Sequence, residues 1–395
     1  MRAYLEILRS PHIAALVASS LLARLPVGIN ALAIVLYLRE QTGSFAVAGA
    51  VSGALALGSA LGAPVQGRFV DRIGARRVLL PVAIVHAVSL GSIVGFAELS
   101  APAFVLLACG FLAGFAIPPT SSVLRAQWTD LLEPHLHQSA YALDSTLIEL
   151  VFISGPLVTA IIAAVASPAG ALIVSAVAVI TGTAIFTSLE PTRHFSASGG
   201  GEDRHWLGAL TSPGVRALVI MSAPTGAALG MLEVGIPAFS RAEGAAPAAG
   251  ALLALWSFGS GIGGLLYGAI PRRRGLYNTH LLVTGLLPLT LLPLAFAPSV
   301  WVMGLLVLPA GCCIAPLLAT RNELVGGVAP PGMRIEAYTW PMTAFVGGIA
   351  GGAALSGALV EGPGWRVAFV VSTGFGVLSV VLALMWRRTV MPAAA

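Results

Sequence analysis

Lysine is absent from this 395-residue chain and charge of either sign is scarce: all 21 basic side chains are arginine, and charged residues make up 9% of the sequence. A soluble domain carries about 25%. So little polar surface cannot cover a water-facing body of this size, which excludes a soluble enzyme, a nucleic-acid binder and a disordered scaffold. Cysteine is nearly missing too. Cys109, Cys312 and Cys313 lie in apolar runs and form neither a disulfide framework nor a metal-ligand spacing. His86 and His280 are isolated, and the chain shows no phosphate-binding loop and no activated nucleophile. Neither an enzyme nor an ATP-driven pump is expected, and no metal site.

What the chain has instead is apolar length. Hydrophobic residues make up 57% and the mean hydropathy is +0.91. Runs bounded by charge, Gly and Pro cover 12–38, 45–66, 78–97, 101–124, 140–165, 169–189, 213–239, 247–270, 279–297, 299–320, 337–360 and 366–386. A spanning helix needs about 20 apolar residues. Runs this continuous are helices, because lipid leaves backbone groups no other partner and barrel strands would alternate. The first run is too long for a signal peptide. The stretch from Glu190 to Trp206, rich in Ser, Gly and charge, reads as a linker. The expected layout is therefore 1–189 as one six-helix bundle, 190–212 as a cytoplasmic linker and 213–395 as a second bundle.

With the N-terminus inside, seventeen arginines fall in cytoplasmic segments, Arg125 and Arg321 among them, and Arg39, Arg241 and Arg366 fall outside. That is a positive-inside pattern with both termini cytoplasmic. The halves also repeat. A shift of 201 places Gly58, Ser59, Gly62 and Gly67 on Gly259, Ser260, Gly263 and Gly268, and a shift of 197 places Ala140, Tyr141 and Gly155 on Ala337, Tyr338 and Gly352. Parallel six-helix repeats are a transporter architecture with the site between the halves.

The loop after the second run reads GRFVDRIGARR, Gly67 to Arg77. Its pattern Gly–x4–Asp–Arg–x–Gly–x–Arg resembles the signature loop of the major facilitator superfamily, and helix number, repeat and loop position match over the whole chain. The resemblance implies an all-α membrane protein of twelve transmembrane helices in two pseudo-symmetric halves. It also implies a conformational gate formed by Gly67, Asp71, Arg72, Gly74, Arg76, Arg77 and Asp130. Gly67 and Gly74 permit a tight turn; Asp71 caps the eleventh helix near Glu336, where the dipole favours an anion; the loop arginines pair with Asp130. Ala75 departs from the family's usual basic residue. The second copy, IPRRRGLYN, has Arg272 where Asp71 stands, so the lock is expected on one side only. In the fifth run, Gly155–Pro156 resembles the core of the antiporter motif of drug–proton exporters and predicts a kink; Thr159 and Ala160 replace that motif's glycine pair. Gly49 and Gly53, with Gly347, Gly348, Gly351 and Gly352, have the small-xxx-small spacing of helix contacts; the resemblance implies that the second and eleventh helices, which carry them, face each other across the halves, and ordinary bundle packing is the alternative.

Charge inside the bilayer is costly unless paired or wetted. Arg24 lies roughly 18 Å into the first run and Glu149 roughly 14 Å into the fifth, at 1.5 Å per residue. Similar depth predicts an Arg24–Glu149 pair, in a structural, proton-coupling or substrate-binding role. Ser145, Thr146 and Glu149 share a helix face. Glu233 is a second carboxylate nearer the outer side, and Asp144 is expected at a solvated helix end. Phe115, Met231, Cys312 and Trp340 are candidates, with Arg24, Glu149 and Glu233, for a substrate cavity; the alternative for the apolar ones is plain core. The expected function is proton-coupled efflux of small amphipathic or cationic compounds by alternating access. The coupling set would be Glu149, Arg24, Glu233 and Asp144, with no cofactor beyond the proton. An importer or facilitator of a small metabolite, and a non-transporting membrane receptor or scaffold, are the rival readings. A small-molecule substrate, the lipid bilayer, no nucleic acid, a monomeric working unit and the inner membrane of a bacterium complete the expectation.

Overall fold

A computed structural model of the chain describes residues 2–9, 11–193 and 207–390. The core of the expected linker, 194–206, lies outside the described residues. Among the described residues, twelve helices are long and apolar enough to span a membrane: α1 His12–Thr42, α2 Phe45–Ile73, α3 Ala75–Glu98, α4 Ala103–Leu131, α5 Pro134–Val165, α6 Pro168–Ser188, α7 Pro213–Ala242, α8 Ala248–Ala269, α9 Leu276–Phe296, α10 Val300–Val328, α11 Arg334–Glu361 and α12 Trp365–Met385. No strand occurs among the described residues. Serine starts several of these helices: Ser44, Ser167, Ser212 and Ser299 each accept a bond from the backbone N–H three residues on. Each fills one of the orphan donors of a helix N-terminus.

Three helices run well past the apolar stretches that announce them. α4 breaks after Phe115 at Ile117–Pro118–Pro119, where prolines remove backbone donors, and resumes as Thr120–Leu131. α5 begins at Pro134 and α10 continues to Val328. Arg125 and Arg321, expected in loops, are therefore inside spanning helices and at most 5% exposed. A charge ends a hydropathy run without ending a helix.

Glycine contacts hold each half together. The Gly28 and Gly155 backbones cross, so that a Cβ on Gly155 would stand 2.5 Å from the Gly28 Cα. Gly58, Gly62 and Gly114 serve α2 against α4; Gly226, Gly230, Gly348 and Gly352 serve α7 against α11. The expected ladder between α2 and α11 is not formed. Gly49, Gly53, Gly347 and Gly351 have nothing within 4 Å of a built Cβ, whereas Gly348 and Gly352 pack on α7 within their own half. Small-residue spacing marks a close contact but not its partner. Gly155–Pro156 is likewise a contact point inside one half, in a helix continuous from Pro134 to Val165.

Candidate functional site

The halves meet at the end carrying the Gly67–Arg77 loop, called here the arginine-rich end. Helix α11 starts without a side-chain cap of its own, so its first N–H groups need acceptors from elsewhere. Asp71 supplies them: Oδ1 accepts from the Ile335 N–H at 3.1 Å and Oδ2 from the Glu336 N–H at 2.8 Å. Gly67 allows the approach, since a Cβ there would stand 3.1 Å from the Glu336 Cα. Gly74, at φ 90°, makes the turn between α2 and α3. The other gate contacts differ from expectation. Asp130 pairs with Arg334 at 3.1 Å, and Arg68 pairs with Glu336 at 2.6 Å. Arg72, Arg76 and Arg77 are exposed. The end of α4 faces the start of α11, so Arg334 reaches Asp130 directly. Trp340, expected in a cavity, donates from Nε1 to Glu336 Oε1 at 3.3 Å and belongs to this gate.

A second seam joins α5 to α8. Gln138 donates to the carbonyls of Tyr267 at 2.6 Å and Ile270 at 2.9 Å, and accepts from the Arg272 N–H at 3.0 Å. Ser139 donates to the Gly268 carbonyl at 2.6 Å, and Tyr4 to the carbonyls of Gly264 and Leu265, each at 3.1 Å. Burial pushes the Tyr4 phenol up to about 12, so it stays a neutral donor. Arg272 turns its side chain to Glu323 of its own half, at 2.8 and 3.1 Å. Between the seams, the Tyr141 and Tyr338 hydroxyls meet at 2.7 Å.

Deeper in, Arg24 and Asp144 form an ion pair at 2.6 Å, and Arg125 Nε donates to the other Asp144 oxygen at 2.5 Å. Asp144 is 1% exposed and Arg24 3%, which corrects both the Arg24–Glu149 pair and the solvated Asp144. The cause is the true start of α5. Counted from Pro134, Asp144 is ten residues in and Glu149 fifteen, while Arg24 is twelve from His12. Two arginines on one carboxylate leave a net positive charge buried in the N-terminal half.

Glu149 reaches the other half instead. Half-buried, it accepts from the Ser260 hydroxyl of α8 at 2.8 Å. Every inter-half hydrogen bond found among the described residues lies between this level, or that of Thr343 donating to the Ala60 carbonyl at 3.1 Å, and the arginine-rich end. Beyond it, Gly49, Gly53, Gly347 and Gly351 have nothing within 4 Å of a built Cβ. Glu233 is exposed on α7 with neither hydrogen bond nor ion pair among the described residues. Of the apolar candidates, Met231 is fully buried and its carbonyl accepts from Ser356, so it is core. Phe115 is half-buried, stacked on Phe111 with centroids 6.2 Å apart. Cys312 is half-buried with its carbonyl against Gly263 of α8. No group of three or more metal-ligating side chains occurs among the described residues.

Reasoning from sequence missed Arg125, Arg321 and Gln138. The first two were hidden by their place at the edge of an apolar run; for Gln138, a single amide before the fifth apolar run carries no signal, since what it bonds is backbone.

Known proteins fit this geometry. The Major Facilitator Superfamily model matches residues 16–334 and 226–394. No curated protein matches the chain. Among solved structures, a bacterial homologue of the iron transporter ferroportin in an outward-facing state superposes with a TM-score of 0.82 at 15% identity, covering 95% of this chain and 99% of that one. The human organic anion transporter MFSD10 (TETRAN) gives 0.74 at 18%, covering 94% and 98%. The proton:xylose symporter XylE bound to 6-bromo-6-deoxy-D-glucose gives 0.71 at 14%, covering 96% of each. With its twelve helices and two seams closed at one end, the chain belongs to the major facilitator superfamily of membrane transporters, which work by alternating access.

Proposed function

We propose that this transporter exports small amphipathic cations in exchange for protons, with Glu149 as the coupling group and the arginine-rich end in the cytoplasm. The orientation rests on the positive-inside rule. The observation that carries the coupling is Glu149 itself: a carboxylate held by one hydroxyl of the opposite half, at the level where the halves part. Arg24 and Arg125 are occupied by Asp144, so neither is presented to an anionic metabolite. The carboxylates left toward the parted end, Glu149 and Glu233, favour a cation. Solved structures named for iron, organic anions and xylose share the fold, so the fold does not choose the cargo.

The cycle follows from competition. An ionised Glu149 attracts a cationic substrate; a proton arriving from the parted side neutralises the carboxylate and releases the cation. Neutralisation also removes a charge whose burial between closing halves costs several kcal/mol, so the protonated protein closes there and opens at the arginine-rich end. The proton then leaves to the cytoplasm. The paired Arg24–Asp144–Arg125 cluster stays fixed and holds α1, α4 and α5 as one body.

Proteoliposomes loaded with a fluorescent quaternary ammonium compound test this. The wild type should move the compound against an imposed proton gradient. Glu149→Gln, fixed in the neutral form that releases the cation, should lose that movement and bind the compound more weakly. Gradient-driven transport surviving in Glu149→Gln would overturn the assignment.

A further inference from the structure

The chain crosses from one half to the other between α6 and α7, and each end of that connection is fastened to a different half. Where it leaves α6, Thr192 accepts from Gln127 Nε2 of α4 at 3.2 Å. Where it returns, a 3₁₀ turn at Gly208–Thr211 leads into α7. Thr211 closes the turn by donating to the Gly208 carbonyl at 2.8 Å, and Ser212 donates to the Val328 carbonyl at the end of α10, also at 2.8 Å. The turn therefore belongs to the C-terminal half. Gly208 and Ala209 are both buried.

What the turn packs on is an ion pair that spans the halves. Gly208 lies at φ 54°, in the left-handed region that favours glycine. A Cβ there would stand 2.6 Å from Arg68 Nη2 and closer still to both carboxylate oxygens of Glu336. Conformation and space both call for glycine, and the space is taken by the two partners of the pair. Glu336 is 1% exposed. Its carboxylate lies against Gly208, accepts from Trp340 Nε1 at 3.3 Å and meets Arg68 at 2.6 Å. Gly208 and Trp340 belong to the same half as Glu336, and Arg68 belongs to the other. Exposed ion pairs are weak partly because two long side chains must be held in one geometry. Here the carboxylate is held by its own half before Arg68 arrives.

We infer that the turn Gly208–Thr211 is a positioning element of the gate: it backs the Glu336 carboxylate and aims it at Arg68, so the seating of the α6–α7 connection sets how firmly the arginine-rich end is held closed. The Asp71 cap engages backbone N–H groups of α11 and does not need that carboxylate. Unseating the turn therefore loosens one contact of the closed end and leaves the cap in place, which gives the connection a graded control over opening. Nothing in this role depends on the cargo or on protons, so it stands apart from the proposed coupling at Glu149.

Double electron–electron resonance reads the opening, with spin labels at Arg76→Cys and Arg273→Cys, both exposed, in a chain whose Cys109, Cys312 and Cys313 are replaced by alanine. Gly208→Ala should raise the long-distance population several-fold. Gly208→Asn should do the same, because asparagine tolerates the left-handed backbone but not the occupied space. A wild-type distribution in Gly208→Asn would reduce the glycine to a matter of backbone conformation and overturn the inference. Arg68→Ala should open the gate as well, and adding Gly208→Ala to it should open it no further, since the contact that the turn serves is already gone. Ser212→Ala, which unfastens the turn from α10 without touching the pair, should raise the open population, and Arg68→Ala should cancel that rise too. Strict additivity of Gly208→Ala with Arg68→Ala would mean the turn acts on something other than the pair, and the inference would fall. Should Gly208→Ala by itself not fold, Glu336→Ala must rescue it, by removing the carboxylate that the new Cβ meets; a double variant that still does not fold refutes the positioning role.

Discussion

Where the halves touch, the N-terminal six helices reach out mostly with side chains and the C-terminal six answer mostly with backbone. Asp71 takes N–H groups at the start of α11; Gln138, Ser139 and Tyr4 give their protons to carbonyls at the end of α8. Arg334 on Asp130, and Thr343 on the Ala60 carbonyl, are contacts in which the C-terminal half supplies the side chain. The difference goes back to one exchange in the repeated loop. With Arg272 in place of Asp71 the second copy cannot cap a helix N-terminus, and it bonds Glu323 within its half. A helix presents donors at one end and acceptors at the other. The seam on α11 therefore takes an anion and the seam on α8 takes neutral donors, and the two should respond differently to charge and pH.

The strongest way to break the comparison is to remove the support behind the N-terminal half. Asp144→Asn leaves Arg24 and Arg125 buried without a counter-charge, and loss of one partner of a buried ion pair costs about 3–5 kcal/mol. The variant should unfold far below the wild type in a detergent melt; an unchanged melt would mean the cluster is hydrated rather than paired. Next in size, Asp71→Asn should weaken the closed seam by about 1.5–3 kcal/mol, the range for bonds to a charged group. Spin labels at Arg76→Cys and Arg273→Cys, both exposed at the arginine-rich end, should report a larger long-distance population. Ser139→Ala should raise it less, because its single neutral bond to the Gly268 carbonyl is worth about 0.5–1.5 kcal/mol. Equal opening by the two variants would erase the distinction between the seams. The smallest effect belongs to Tyr4→Phe, about 1 kcal/mol or less. Its phenol is pushed above the ordinary value of 10.0 to about 12, so the folded protein holds this proton more tightly than the unfolded chain. The contribution of Tyr4 is then full below about pH 10 and lost as pH rises toward 12. Below pH 10 the gap between wild-type and Tyr4→Phe melting temperatures should not change with pH.

The legible parts of the molecule were those where a side chain carries its own reason for being there. Twelve apolar runs, the Asp71 cap and the one-sided lock could be read because length, a fixed loop spacing and an altered second copy are all written in residues. The partner of Arg24 could not. Helix α5 begins six residues before its apolar run, with Pro134 in place of residue 140, so a depth count from the run set Arg24 beside Glu149 when the helix sets it beside Asp144. Arg125 and Arg321 were misplaced for the same reason, since each closes an apolar run while its helix goes on to Leu131 or Val328. The α8 seam was invisible because half of it is carbonyl oxygen, which every sequence has.

The crossing of α1 and α5 at Gly28 and Gly155 has a mechanical meaning. Two backbones in contact have no compressible layer of side chains between them, and neither can rotate or slide without lifting off the other. The same holds for α7 and α11 through Gly226, Gly230, Gly348 and Gly352. Glycine here stiffens each half instead of lubricating the plane between them. Each half behaves as a beam rather than a set of loose rods, so breaking the seams at one end tilts the far end by a matching amount, with little of the motion absorbed on the way.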